Sequence, residues 1–576
     1  LEETCAKYLR SVRPHLNDAE FSRTESAVKE FIQPNGLGSI LQQRLVARAQ
    51  DPATPNWLSE WWNSLAYMNY RDPIVVNVSY FYTFLDDRRL RNKPTERAAN
   101  IITAALDVKD EVLSGTMEPE MAKGKPLCMD SYKWMFNACR YPAKPDDYAR
   151  TFDGVKHVAV VRKNRFWVFD VVDAHGTRLS TADIQHQLDQ IVKKAGELSA
   201  PAVGSLTTQN RDVWTEVRQQ LLDAHPENAA SLQRLESSTF LLCLDDTKPS
   251  TREQVSWQCW VGDGKNRYFD KSLQFIVFEN GKAGFNGEHS CMDGTPTCRL
   301  NDVICHRLAH NLVNHGTPTP STQLPEPREL TFHLTPTLHH AIQQAEQAFQ
   351  QLTGAHALKV VAYPGYGKRT IKRLKASPDA YAQMVIQLAY YKMHGISRPT
   401  YESGQTRKFL LGRTEVCRTV STDSVAWVKA MENPAVSALE KAKIGRKAID
   451  AHVKYMADAV EGHGCDRHLL GLRLSLREGE ARPSIFTDPA YAYTSHWFLS
   501  TSQLTSEYFD GYGWGEVVPD GYGIAYMVKE DSLHFNIVAR KEMDVEAMGR
   551  WIEEACGDML HVFEQDVAQD KVAARL

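Results

Sequence analysis

No stretch of this sequence approaches the roughly 18 uninterrupted apolar residues that cross a bilayer, so no transmembrane segment is expected. Paired cysteines are missing too. The eleven cysteines are scattered, with no C-x-x-C pair; this excludes a small secreted disulfide framework and reads as mostly reduced, buried thiols of an intracellular protein. Charge of one sign is lacking: 67 basic against 71 acidic side chains leave a net −4. That excludes a global attraction to nucleic acid or to an anionic membrane, so any basic patch must be local. Internal repeats and long low-complexity segments are absent as well. The opening residues, LEETCAKYLRSVRPHL, contain neither an initiator Met nor a signal-peptide apolar core, and a trimmed or a processed start both stay open.

What the sequence does have is length and mixed periodicity. At 576 residues the chain exceeds one ordinary core, and two large domains are expected. Helical patterns (DRRLRNKPTERAANIITAALDVKDEVL, DVWTEVRQQLLDAH) alternate with strand pairs. KHVAVVRKNRFWVFDVV reads as two strands around Arg162-Lys163-Asn164, and LQFIVFENGKAGFNGEHS as a hairpin with Asn280-Gly281 as a two-residue turn. The Pro/Thr-rich stretch 315–330 is the best linker candidate. A long helix follows, with Ser377 as N-cap, Pro378 at its first position and Gly395 past its end. Strands are expected again at HWFLSTSQ and GYGIAYMV. The class is α/β, with mixed sheets.

Three stretches carry possible chemistry. The second hairpin delivers His289, in GEHSCMDGTP, to the end of its returning strand. A histidine is the usual general base when a second group fixes its tautomer, and Asp293 stands four residues on. On these residues alone, a histidine merely seated in a turn is an equal reading. Zinc fits poorly, because the intervals among Cys291, Cys298 and Cys305 are wrong and only His306 and His310 resemble a ligand pair. A nucleophilic Cys291 beside His289 is disfavoured too, since one intervening residue in a strand turns the two side chains to opposite faces.

The second stretch is PGYGKRTIKRLKASPD, where Lys368, Arg369, Lys372, Arg373 and Lys375 precede the capped helix. Cations beside free helix amides suit a phosphate. The Walker A pattern is not met, as Ala362 and Arg369 occupy its key positions. A solvated charged face is the bland alternative; nucleic acid is disfavoured by the lack of a reading fold or aromatic platform. The third stretch, LSTSQ, offers Ser500, Thr501 and Ser502 on an extended segment. A hydroxyl aimed at a developing oxyanion contributes about 3 kcal/mol.

Taken in order, NWLSEWW, GEHSCMDGTP, YGKRTIKRLKASPDAY, QLAYYKMHG, TYESGQTRKFLLGRTE, STDS, DRHLLGLRL, LSTSQ and VVPDGYG resemble the choline/carnitine acyltransferase family over nearly the whole chain. The resemblance implies direct, reversible acyl transfer between CoA and L-carnitine, with CoA or acetyl-CoA as co-substrate and no permanently bound cofactor or metal. His289 matches the general base. Asp293 stands where animal members carry a glutamate that orients it, and Ser502 matches the oxyanion donor. Lys368, Lys372, Ser377, Asp379 and Gln503 match CoA contacts, while Val453 replaces a CoA-binding arginine. Arg467 matches the residue that binds the carnitine carboxylate, which choline lacks. Tyr401, Ser403, Thr414 and Ser500 match its neighbours, and Trp514 falls near the trimethylammonium. Tyr512 falls where long-chain members open an acyl tunnel with glycine, which implies acetyl or short-chain specificity; Gly511 and Gly513 flank it, so a one-residue shift would reverse this.

The resemblance further implies two domains of similar topology with the active site in a tunnel at their interface. Residues 1–77 would group with 335–576, and residues 78–334 would carry the histidine. The final Ala574-Arg575-Leu576 is a variant of the S-K-L address and implies delivery by the peroxisomal import receptor, with a mitochondrial pool left open. A thioester hydrolase and a catalytically silent CoA-binding protein remain the rival readings.

Overall fold

A computed structural model describes residues 1–321 and 324–573. The Ala574-Arg575-Leu576 tail lies outside the described residues. Two mixed sheets organise the chain. The first has eight strands in the order Arg328–Leu330, Arg165–Asp170, His157–Arg162, Leu241–Asp245, Leu273–Phe278, Ala283–Gly287, Tyr80–Phe84 and Phe509–Gly513. The second has six: His356–Tyr363, Leu533–Arg540, Tyr522–Val528, Leu499–Gln503, Thr400–Gln405 and Thr414–Arg418. Helices cover both sheets, so the central strands are buried on both faces and read as nearly continuous apolar runs such as YFYTF and YGIAYMV.

Local sequence explains the elements that frame the site. The helix Pro378–His394 starts at Ser377, whose hydroxyl accepts from the Ala380 amide, and ends at Gly395 in the left-handed region at φ 68°. The hairpin between Leu273–Phe278 and Ala283–Gly287 differs from the expected two-residue turn. Val277 pairs with Ala283, and the Phe278 amide donates to Lys282 O, so the loop has three residues with Gly281 at φ 80°. A positive φ in third place lets a type I turn rejoin the ladder, which only glycine adopts at little cost.

The N-terminal helices and three later segments tie the surroundings of the two sheets together. Cys5, Tyr8, Leu41 and Leu45 share a core with Cys465, Leu469, Leu472 and Ile485. From Ser64 onward, however, the chain turns to the other half: Ser64 and Asn69 bond Asp146, Arg71 pairs with Asp147, and Ile74 and Val75 enter the core around Trp214. Beyond residue 335, the helix Pro336–Gly354 buries Leu338, Ile342 and Phe349 in that same core. The strand Phe509–Gly513 leaves its neighbours in sequence to pair antiparallel with Tyr80–Phe84. Its glycines permit this, because a Cβ on Gly511 would stand 2.7 Å from Thr83 Oγ1 and one on Gly513 2.9 Å from the Phe81 ring. The two sheets are thus joined by an exchanged strand next to the site. No helix among the described residues is long and apolar enough to cross a membrane.

Candidate active site

A cavity of ≈ 520 Å³ is lined from both sheets: His289, Asp293, Tyr80 and Tyr512 come from the first, and Tyr401, Ser403, Ser500 and Ser502 from the second. It shares Asp379 and Gln503 with a chamber of ≈ 560 Å³ that also holds Lys368 and Ser377. On its other side it shares Thr414 and Arg467 with a vestibule of ≈ 910 Å³. Three spaces therefore follow one another, with the histidine in the middle one.

His289 lies two residues past the strand Ala283–Gly287, in the loop before the helix Gly294–Ala309. Its ring is stacked on Tyr67 (centroids 5.1 Å apart, planes at 16°) and meets the edge of Tyr80 at 5.0 Å. Burial pushes the imidazole below its ordinary value, Asp293 opposes that, and the nearby Arg413 cation adds to the lowering. The neutral, proton-accepting form therefore prevails at neutral pH.

Asp293 does not bend back onto the ring as the spacing suggested. Its Oδ1 is 3.9 Å from His289 Nδ1, which has no hydrogen-bond partner among the described residues. The carboxylate is held instead by Arg413, whose Nη2 donates to Oδ1 at 2.9 Å and whose Nε donates at 3.2 Å. Burial alone would raise the Asp293 carboxyl, but the arginine outweighs it and holds it below the usual range. Arg413 also donates to the carbonyls of Ser290 (2.6 Å) and His289 (3.0 Å) and to Asn63 Oδ1, while lying over the Tyr67 ring at 4.5 Å. The loop carrying the histidine is thus anchored across the site by one guanidinium. Its removal leaves a buried carboxylate without a partner, so Arg413→Ala is expected to destabilise the protein by about 3–5 kcal/mol, read as a lowered melting temperature.

Arg467 opens the helix Asp466–Leu474. Its Nε donates to Thr414 O at 2.9 Å, Nη2 donates to Thr414 Oγ1 at 3.3 Å, and the guanidinium lies 3.7 Å over Trp62. The side chain is buried, and among the described residues its guanidinium makes no ion pair; the buried Glu415 carboxyl accepts from the Arg467 backbone amide, and the Arg467 charge opposes the rise that burial gives that carboxyl. Burial pushes the Tyr401 phenol up, and the nearby Arg467 cation opposes it. On the neighbouring strand Ser403 Oγ lies 3.0 Å from Ser502 Oγ, as the parallel pairing of Thr400–Gln405 with Leu499–Gln503 requires. Ser500 lies on the same strand as Ser502, and Trp514 packs on Tyr512 with centroids 5.2 Å apart. Tyr512 is buried against Tyr82 and faces the cavity; Gly511 and Gly513 alternate to the opposite face of the strand, toward Thr83 and Phe81.

The basic cluster is less free than its composition suggests. Lys368 pairs with Glu530 at 2.7 Å, Arg369 with Asp531 and Arg373 with Glu564. Lys372 is exposed and outside the chamber lining. Ser377 spends its hydroxyl on the helix cap, and the Gln503 amide turns to Thr505. Val453 is exposed, on the outer side of the helix Ala438–Val460. Away from the cavity, burial pushes the Cys291 thiol up to about 11, which leaves it protonated and inert. His306 and His310 both contact the Tyr508 hydroxyl, at 2.8 and 3.0 Å.

Reasoning from residues missed Arg413, Trp62, Tyr67 and the groups behind Asp379. Nothing in local spacing marks them, because each is defined by a partner distant in sequence. The sequence model for choline/carnitine O-acyltransferases matches residues 1–554. The mitochondrial carnitine O-acetyltransferase of Saccharomyces cerevisiae is 39% identical, with 98% of this chain and 87% of that protein aligned. Carnitine O-acetyltransferase of Homo sapiens is 35% identical, over 97% and 91%. The peroxisomal carnitine O-octanoyltransferase of Bos taurus is 33% identical, over 98% and 95%. This chain belongs to the choline/carnitine O-acyltransferase family.

Proposed function

We propose that the protein transfers an acetyl or short-chain acyl group reversibly between CoA and L-carnitine, by direct attack of one substrate on the other. The observation that carries this reading is the buried Arg467 guanidinium, which makes no ion pair among the described residues, in the wall of the same cavity as a neutral His289. A buried cation of this kind is costly until an anion meets it, and the carnitine carboxylate is that anion. Trp514, in the same cavity wall, suits the trimethylammonium. The acyl-CoA would occupy the chamber of Lys368, Ser377, Asp379 and Gln503, its phosphates displacing Glu530 from Lys368 with help from Lys372. The pantetheine arm would pass Asp379 toward the histidine.

In this reading His289 takes the proton of the carnitine hydroxyl as its oxygen attacks the thioester carbonyl. The Ser502 hydroxyl donates to the oxyanion, oriented by Ser403 at 3.0 Å and flanked by Ser500. Collapse expels the CoA thiolate, which recovers the proton from the imidazolium. Asp293 steadies that imidazolium across 3.9 Å by its charge rather than by a hydrogen bond. The lowered pKa has a sign: His289 stays a base down to a pH below that of an ordinary histidine.

Tyr512 closes the space in which a longer acyl chain would lie. Tyr512→Gly is expected to raise the octanoyl-CoA to acetyl-CoA ratio of kcat/KM by at least about tenfold, since each buried CH₂ contributes roughly 0.8 kcal/mol. Equal activity of the unaltered protein on palmitoyl-CoA and acetyl-CoA would contradict the short-chain reading. Peroxisomal delivery through Ala574-Arg575-Leu576 belongs to the same proposal, as does the reading of the two sheets as two domains.

The test is thiol release from acetyl-CoA with L-carnitine, with choline and with neither. Release only with carnitine is expected. Carnitine-independent release would indicate a hydrolase, and none at all a silent CoA-binding protein.

A further inference from the structure

Behind the neck between the CoA chamber and the central cavity lies a buried cluster that the reaction above does not use. Tyr526 Oη lies 2.7 Å from Asp379 Oδ1 and 2.7 Å from Glu402 Oε1, and it accepts from Gln383 Nε2 at 3.0 Å. A phenol has one proton to donate. It satisfies one carboxylate; the other carboxyl must bring its own proton and donate it to Oη, or two lone-pair-bearing oxygens would face each other at hydrogen-bond distance. On the far side of Glu402, His452 Nε2 stands 2.8 Å from Oε2 and 3.9 Å from Asp379 Oδ2. Its Nδ1 is 3.9 Å from Cys417 Sγ. A metal does not suit these donors, because the sulfur and the carboxylates address opposite nitrogens of the ring.

We propose that Asp379 and Glu402 hold one shared proton, and that His452 is a positioning residue whose cationic ring keeps Glu402 ionised and leaves the proton on Asp379, so that the neck is uncharged when the acyl-CoA arm passes. This rests on the CoA path proposed above. Glu402 and His452 are buried, whereas a third of the Asp379 side chain, 34%, is open to the two chambers. A neutral carboxyl there offers the amides of the arm an acceptor and adds no negative charge against the substrate's phosphates. The groups that face it are Glu402, Tyr526, His452 and Cys417 from the packed elements, and Lys368, Glu530, Glu507 and Asp302 around the outer chamber. Burial first, then Glu402, raises the Asp379 carboxyl to about 7. Burial opposes a charged His452, but the Glu402 carboxylate at 2.8 Å favours it, and the ring is held well above its ordinary value.

The direction follows. Below about pH 7 the neck is neutral, and above it Asp379 ionises and the substrate is repelled. KM for acetyl-CoA is expected to rise about fivefold or more between roughly pH 6.5 and 8.5, with little change in kcat over that span. His452→Gln removes the cation that eases the second ionisation, so its inflection moves up by about one pH unit and its KM near pH 8.5 falls below that of the unaltered protein. Mere structural damage would not improve binding at high pH. Asp379→Asn abolishes the upturn, and it removes a protonated-carboxyl band from the infrared spectrum of the ligand-free protein. A KM flat with pH in the unaltered protein, or a His452→Gln profile that is unshifted or shifted downward, overturns the proposal. The infrared band is read without CoA: its persistence in Asp379→Asn contradicts the proton assignment alone, whereas loss of carnitine-dependent turnover at every pH contradicts the functional reading instead.

Discussion

His289→Ala is expected to lower kcat by about 10²–10⁴-fold, the range a positioned general base supplies. It should do so without unfolding the protein. The ring is stacked on Tyr67 and meets the edge of Tyr80, yet its Nδ1 bonds to nothing among the described residues, so no buried partner is orphaned when the ring is removed. Acetyl-CoA and L-carnitine should still bind, since neither the Lys368 chamber nor Arg467 is touched, and calorimetric titration checks this separately from turnover. Arg413 would still hold Asp293 and the two loop carbonyls, keeping the cavity in shape. Turnover within a few-fold of the unaltered protein would remove the histidine from the chemistry.

Arg467→Ala has the second large effect. A charge-assisted hydrogen bond to the carboxylate contributes about 1.5–3 kcal/mol, so carnitine KM should rise roughly 10- to 150-fold. The loss falls on binding more than on kcat, because the carboxylate is remote from the bond being made. Choline has no carboxylate to lose, so the preference for carnitine over choline should collapse in the same variant. Arg467→Lys should recover only part of it: an ammonium cannot keep both the Thr414 carbonyl and a planar contact with Trp62 while meeting the ligand. Initial rates against carnitine and choline, at saturating acetyl-CoA, measure all of this.

The residues that proved legible in the sequence are those whose signal is local. Ser377, Pro378 and Gly395 mark their helix because capping acts within a few residues. The strands at LSTSQ and GYGIAYMV show in their composition, since buried strands need β-branched and aromatic side chains in short runs. The motif resemblance supplied what local physics could not, namely which histidine and which arginine to single out. Other features were illegible because they are tertiary. FDGYG looks like turn sequence, and only its packing against Thr83 and Phe81 reveals a glycine-rich strand lying close on another sheet. The four-residue interval from His289 to Asp293 suggested a hydrogen bond; a competitor from a distant strand connection, Arg413, took the carboxylate instead. The basic run appeared free because the acids that pair with it, Glu530, Asp531 and Glu564, come from the far end of the chain.

The central claim is that both substrates meet at one imidazole and that the acyl group never rests on the protein. Initial-rate kinetics with acetyl-CoA and carnitine varied together, combined with a search for labelled protein after incubation with radiolabelled acetyl-CoA alone, test it most directly. Intersecting reciprocal plots and unlabelled protein are predicted. Parallel plots with stoichiometric label retained on the chain would contradict it.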